Sequence, residues 1–195
     1  MRRFWTMLAH YHGGIWNASD LANSLGVAHT TTRSWLDILT GAFMVRQLPP
    51  WYENIGKRLV KSPKIYLRDS GLLHALLAVE NRVQLQGHPK LGASWEGFAI
   101  EEILALIGND KNAYFWSVHS GSELDLLVFL NGKRLGFEFK YADAPRVTRS
   151  MRVVQSDLKL DYLFVVYPGE SSYLLDKKIE VIPLKLAGAR ILGLQ

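Results

Sequence analysis

The pattern of apolar and polar positions changes character once along the chain. Residues 4–40 read as three helices. The second, near SDLANSLG, is expected to start at Ser19 or Asp20 as N-cap and to stop at Gly26. After a short turn, AHTTTRSWLDILT opens polar, with His29, Thr30, Thr31, Thr32, Arg33 and Ser34. It closes apolar, with Trp35, Leu36, Ile38 and Leu39. A helix-turn-helix divides its recognition helix in this way, because the N-terminal residues face the groove. Thr30, Thr31 and Arg33 are therefore the expected DNA-facing residues. FMVRQL and KIYL then read as strands around a loop rich in Pro, Asn and Gly, a wing that ends in the short helix SGLLHALLA.

VENRVQLQGHPKLG, residues 79–92, has the composition of a linker. Beyond it the pattern predicts a helix over 94–108 and strands over 113–118, 123–130 and 134–141. A helix over about 146–160, a strand over 162–167 and a last strand near 172–182 follow. AGARILGLQ is expected to be a frayed tail. The division is thus 1–80, linker 81–92, 93–187 and tail 188–195.

Within ELDLLVFLNGKRLGFEFK, Asn131-Gly132 predicts a two-residue hairpin turn, because both positions need positive φ. Leu130 then pairs with Lys133, Asp125 faces Glu138 and Glu123 faces Lys140. Strict alternation puts these four on one face and Leu124, Leu126, Val128, Phe137 and Phe139 on the other. Like charges directly opposed across strands are destabilising. Lys140 offsets part of that cost, and a divalent cation with a taste for hard oxygen ligands, Mg²⁺ or Mn²⁺, offsets more. In SWEGFAIEEILALIG the helical wheel sets Glu96 among Ile100, Ile103 and Ile107, so its carboxylate needs a partner or a metal. A salt-bridged edge hairpin, or a Glu96 satisfied by a buried Lys or Arg, explains the same residues without a metal.

Charge sharpens the picture. Residues 1–90 hold eleven Lys/Arg against five Asp/Glu, and residues 91–195 hold twelve against thirteen. Residues 46–68 carry Arg46, Lys57, Arg58, Lys61, Lys64 and Arg68 against Glu53 alone. A basic wing of this kind fits phosphate contacts through Lys57, Arg58, Lys61 and Lys64. The chain has no cysteine, which excludes disulfides, thiolate zinc sites and a cysteine nucleophile and fits a cytoplasmic protein. No apolar run reaches the roughly 20 residues of a membrane span. The start, MRRFWTMLAHYHGG, lacks a signal-peptide core.

A helix Glu, then Asp125, then Glu138-Phe139-Lys140 on the next strand resembles the PD-(D/E)XK nuclease core, the restriction-endonuclease-like fold, in its E-x-K form. Asp125 follows Leu rather than Pro. Gln155 resembles the extra glutamine of some branches. LANSLGVAHTTTRSWLDIL, LPPW, NIGKRL, KSPKIYLRDSGL, WEGF, ELDLL and FEFK together resemble one bacterial and archaeal family. In it a winged helix and a PD-(D/E)XK-like domain follow an AAA-type ATPase in one polypeptide. No GxxxxGK[ST] motif is present here, so no ATP site is expected, and the chain reads as a C-terminal part or a stand-alone relative.

The resemblance implies an α+β and α/β chain, with a winged helix-turn-helix followed by a mixed nuclease-like sheet flanked by helices. It implies that Glu96, Asp125 and Glu138 hold one or two Mg²⁺ or Mn²⁺ ions, with the Phe139 carbonyl a further ligand. Lys140 orients the attacking water or stabilises the phosphate, and Glu123 and Gln155 support the site from behind. The expected activity is metal-dependent phosphodiester hydrolysis on nucleic acid, most simply DNA. Two other readings stay open: an inert DNA-binding module, and a protein-interaction scaffold.

Overall fold

The computed structural model of the chain describes residues 2–53, 56, 59–108, 111–119 and 121–194. It is a mixed α+β protein that divides into two compact units, Met1–Leu48 with Ser62–Phe98, and Pro49–Lys61 with Ala99–Gln195. No helix among the described residues is long and apolar enough to cross a membrane.

The first unit contains α1 (Arg2–Tyr11), β1 (Gly14–Ile15), α2 (Ala18–Leu25), α3 (His29–Gly41), β2 (Val45–Leu48), β3 (Lys64–Leu67), α4 (Ser70–Leu76) and α5 (Arg82–Gln86). It also contains the first part of α6 (Leu91–Ile107). Its antiparallel sheet has the order β1-β3-β2. Phe4, Leu8, Leu21, Leu36, Leu39, Ile65 and Leu73 close one buried core. Gly26 ends α2 in the left-handed region, at φ 68°, as expected. The N-cap differs: Asn17 Oδ1 accepts from the Ser19 and Asp20 amides, so Ser19 and Asp20 lie inside the helix rather than capping it. The expected linker 81–92 is ordered as α5 and the start of α6, and the two units part inside α6.

The second unit is built on β4 (Ala113–Ser117), β5 (Glu123–Leu130), β6 (Lys133–Phe139), α7 (Arg149–Asp157), β7 (Tyr162–Tyr167), β8 (Tyr173–Asp176), β9 (Ile179–Pro183) and α8 (Leu184–Leu192). Its six-stranded sheet runs β4-β5-β6-β7-β9-β8. The β4–β5, β5–β6 and β8–β9 pairs are antiparallel, and β6–β7 and β7–β9 are parallel. Parallel pairing of β6 and β7 requires a crossover, which α7 provides. Met151 and Val154 of α7 pack on Leu127, Leu163 and Val165. The stretch 172–182 holds two strands rather than one. The expected tail is largely the helix α8, with Ala187 and Ile191 buried.

The loop expected to project as a wing belongs to the second unit. The Trp51 amide donates to the Phe115 carbonyl at 2.7 Å, and the Val60 amide to the Ser117 carbonyl at 3.1 Å. Pro50 bridges Phe115 and Leu59 bridges Val118, so the described flanks of the segment pair along β4 and the residue that follows it. Glu53 Oε2 accepts from Arg134 at 2.7 Å and from the Trp51 indole at 2.9 Å. The unpaired edge of β4 attracts the segment, because edge amides and carbonyls need partners.

In the first unit His12 is buried. Its Nδ1 accepts the Leu67 amide at 3.0 Å, which leaves Nε2 as the donor to the Ala93 carbonyl at 3.0 Å. Burial pushes its pKa down to about 4, against the Ala93 carbonyl, and the Lys90 and His74 charges lower it further. Protonation of Nδ1 would break the bond to Leu67. The folded state thus binds the proton more weakly than the unfolded chain. This contribution is complete above pH 6.5 and is lost as pH falls from 6.5 toward 4, on the order of 3 kcal/mol by linkage. Thermal unfolding from pH 7 to 4 should show this loss, and His12→Gln should remove that part of the slope.

Candidate functional site

The turn at Asn131-Gly132 has both residues at positive φ, 50° and 77°. It sets the register at Leu130↔Lys133, which continues through Val128↔Leu135 to Leu126↔Phe137. This is the pairing the hairpin signal predicts. Beyond Leu126 the ladder breaks. β4 runs from Tyr114 to Trp116 while β5, opposite it, runs from Leu127 to Leu124. β5 therefore has one extra residue, a bulge.

The bulge overturns strict alternation. Leu124, expected on the face with Leu126, instead packs in the same cluster as Leu127, Trp116 and Val165. A Cβ on Gly136 would lie 2.5 Å from Leu160 Cδ1 and 3.1 Å from Leu163 Cδ1, so any larger residue there would make these leucine tips shift. Where β5 leaves the ladder, Asp125 Oδ2 accepts the Phe139 amide at 2.9 Å. The carboxylate takes over the role of a ladder carbonyl.

Asp125 and Glu138 are 6% and 5% exposed, low values for carboxylates. Lys140 Nζ lies 2.9 Å from Glu138 Oε2, with its side chain 40% exposed. The Glu138 pKa is pushed up to about 8, first by burial and then by the Asp125 charge. Lys140 opposes the rise and Glu123 adds to it. Glu123 is tied through its backbone, with Ser150 Oγ donating to its carbonyl at 3.3 Å and its amide directed at Ser150 Oγ at 3.2 Å. The Lys140 amide donates to the Val166 carbonyl at 3.0 Å, which continues the β6–β7 ladder past Phe139. Two buried carboxylates and one ammonium are thus held at the end of β6 by backbone bonds on both sides.

Glu96 is placed differently from the expectation of a metal ligand. Its Oε1 accepts from Lys64 Nζ at 3.2 Å and from the Tyr66 hydroxyl, all within the first unit. Among the described residues, no group of three or more His, Cys, Asp or Glu side chains is arranged to hold a metal. The same contact corrects Lys64, expected at a phosphate. It is 4% exposed and its ammonium is engaged by Glu96. Wheel geometry alone places Glu96 on a buried face. The alternation of KIYL, with Lys64 and Tyr66 on one side, is the signal that could have supplied its partners.

Other expected residues divide. Thr30 and Arg33 are exposed and Thr31 is half-buried, while Thr32 is buried with its hydroxyl on the Ala18 and His29 carbonyls. Arg33 Nε lies 3.5 Å from Asp37 on the next turn. Lys61 is exposed, in the segment that lines β4. Lys57 and Arg58 lie outside the described residues. Gln155, on α7, donates from Nε2 to the Leu160 carbonyl at 2.6 Å. The sequence does not single out Ser150, since one serine on a polar helix start carries no distinguishing signal.

Residues 1–83 match the family model of the domain of unknown function DUF8612, and residues 91–187 that of the domain of unknown function DUF4143. An uncharacterized protein of Mycobacterium tuberculosis (strain ATCC 25618 / H37Rv) is 51% identical over 183 residues, 94% of this chain and 41% of the relative. An uncharacterized protein of Mycobacterium bovis (strain ATCC BAA-935 / AF2122/97) matches with the same identity and coverage. The chain therefore spans about two fifths of the length of these relatives. No solved structure matches. Over residues 91–187 the chain carries a DUF4143 domain, a domain found in AAA-ATPase-associated proteins.

Proposed function

We propose that the second unit is a metal-dependent phosphodiesterase centre acting on nucleic acid, and that the first is a winged helix-turn-helix that binds DNA. The observation that carries the reading is the buried pair Asp125 and Glu138, with Lys140 on Glu138. Two carboxylates that raise each other's proton affinity gain from a cation between them. The donor set, two carboxylates and a neighbouring backbone, suits Mg²⁺, which keeps several waters and uses one or two carboxylates. Asp125 and Glu138 would hold the ion; Glu96 is left out of the set because Lys64 and Tyr66 already engage it. When bound, such an ion lowers the pKa of its water and supplies a nucleophile near neutral pH. Lys140, part-exposed beside Glu138, is the group to stabilise charge on a phosphate oxygen. The βαβ arrangement of β6, α7 and β7 beside an antiparallel hairpin agrees with the restriction-endonuclease-like core.

The order α1-β1-α2-α3-β2-β3 with a three-stranded sheet supports the winged-helix reading of the first unit. Exposed Thr30 and Arg33 stand at the start of α3. The domain's association with AAA ATPases supports a role beside an ATPase in longer relatives. Of the phosphate contacts expected from the wing, only Lys64 is withdrawn, because Glu96 engages it.

Three measurements test this reading. Asp125→Asn keeps an acceptor for the Phe139 amide but removes the charge, so it should fold and lose Mg²⁺- or Mn²⁺-dependent cleavage of plasmid and single-stranded DNA. Wild-type protein that cleaves neither substrate with either metal overturns the enzymatic reading.

The second is a pH test of Glu138. Its folded pKa, about 8, lies above the ordinary 4.5, so its contribution is complete below pH 4.5. Without metal that contribution is lost as pH rises from 4.5 through 8. In EDTA the second unit should lose stability over that range, Mn²⁺ should restore it, and Glu138→Gln should show neither effect. A metal response retained in Glu138→Gln would place the ion elsewhere.

The third concerns the first unit. Arg33→Ala should weaken DNA binding for all sequences alike and lower the slope of log K against log salt by about one. An unchanged slope would remove α3 from the interface.

A further inference from the structure

The two faces of the second unit's sheet are covered differently. α7 packs on the face of Leu127, Leu163 and Val165 and turns Arg149, Arg152 and Ser156 to solvent. Alternation along β7 puts Phe164 on the opposite face. There α8 buries Ala187 and Ile191, and its Arg190 stands over the Tyr162 and Phe164 rings and bonds to Glu180.

The outward side of α8 consists of Lys185, Leu186, Ala189, Leu192 and Gly193, all exposed and only one of them charged. Leu186 is 42% exposed and Leu192 46%. The part of α6 in this unit extends the surface. A Cβ on Gly188 would lie 3.2 Å from Leu106 Cδ2, so α6 and α8 meet there. Leu106 is itself 42% exposed, and Glu102 and Ala105 are exposed on the same side of α6. A helix layer that faces water ordinarily presents a polar side, as α7 does. Here apolar positions adjoin across two helices behind a charged border, the pattern of a contact surface.

The order of residues indicates what covers it. Leu186, Ala189 and Leu192 are spaced three apart and read the same in both directions. An isologous contact sets a patch against the same patch reversed. A twofold axis at Ala189 therefore puts Leu186 against Leu192 of the other copy and the reverse, with the smallest side chain of the stripe where the helices are closest. The border charges are of opposite sign, Glu102 on α6 and Lys185 on α8. Lys185 pairs with Glu170, but both side chains are more than half exposed, and such a pair contributes little. Its ammonium has three donors and keeps capacity for a second carboxylate.

We propose that α8, flanked by Leu106 of α6, is the surface through which two copies of this chain form a dimer, with Ala189 on the twofold axis and Glu102 of each copy beside Lys185 of the other. Three leucines and two alanines per copy make a small interface, below about 1,200 Å² in total, the size of transient contacts. The dimer therefore dissociates on dilution. Neither Asp125 nor Glu138 takes part, so the dimer does not depend on the phosphodiesterase reading.

Sedimentation equilibrium of the full chain in EDTA, from low-micromolar to millimolar concentration, should show a monomer–dimer equilibrium. Leu186→Glu, at an exposed position, should weaken it at least tenfold and leave the far-UV circular dichroism unchanged. Glu102→Lys and Lys185→Glu should each weaken it at least threefold, and the two together should restore it. The chain has no cysteine, so Ala189→Cys reads the axis directly. It should form a disulfide-linked dimer on mild oxidation, while Ser156→Cys, on the exposed side of α7, should stay monomeric. A chain that is monomeric at every concentration, which leaves the face to a different protein, overturns the proposal. So does a dimer indifferent to Leu186→Glu, a double charge exchange without rescue, or equal cross-linking of the two cysteine variants.

Discussion

The hydrogen bond from the Phe139 amide to the Asp125 carboxylate is the contact on which the second unit's site depends. A regular β5–β6 ladder would give that amide a carbonyl, and it would hold Asp125 in the alternation of its strand. The bulge removes the carbonyl and brings the carboxylate into its place. The bond therefore ends the hairpin and fixes one acid beside the next residue, Glu138. Removing the acceptor altogether would leave a buried amide unsatisfied, at a cost of about 1–3 kcal/mol. The same side chain thus carries both a structural and a proposed chemical role, and only a substitution that keeps the acceptor separates them.

Burial makes the pair at Asp125 and Glu138 electrostatically expensive, and Lys140 offsets only part of it, being itself 40% exposed. In the first unit the opposite balance holds. Glu96 meets both a buried ammonium and a phenol, so its charge is matched where it lies. The contrast between an under-compensated acid pair and a compensated acid is what directs the metal proposal to β5 and β6 rather than to α6.

Basic residues also sort by their surroundings rather than by their density in the sequence. The run from residue 46 to 68 looks like one phosphate-binding wing, yet Lys64 is engaged by Glu96, and Pro50 and Leu59 bridge to Phe115 and Val118. Glu53, its single acid, is held by Arg134. Meanwhile Arg152 on α7 and the adjacent pair Lys177 and Lys178 on the β8–β9 turn, unremarkable in the sequence, converge around one pocket. Charge counted along a sequence measures opportunity, and the fold decides which charges meet solvent.

The amino-acid sequence by itself determined the local features whose causes are local. The Asn131-Gly132 turn, the Leu130↔Lys133 register, the left-handed stop at Gly26 and the polar start of α3 all follow from residues within a few positions of one another. It also placed Glu138 and Lys140 together, because alternation along one strand puts residues two apart on the same face. Tertiary structure decided the rest. The extra residue in β5 depends on β4, a strand that the hairpin's own pattern does not contain, and it moved Leu124 to the other face. The partners of Glu96 lie 30 and 32 residues away, and the pocket that joins Gln155 to Lys177 needs both α7 and the β8–β9 turn. Such pairings form because a buried polar atom must find a partner wherever the fold brings one, and that proximity in space is not written in the spacing along the chain.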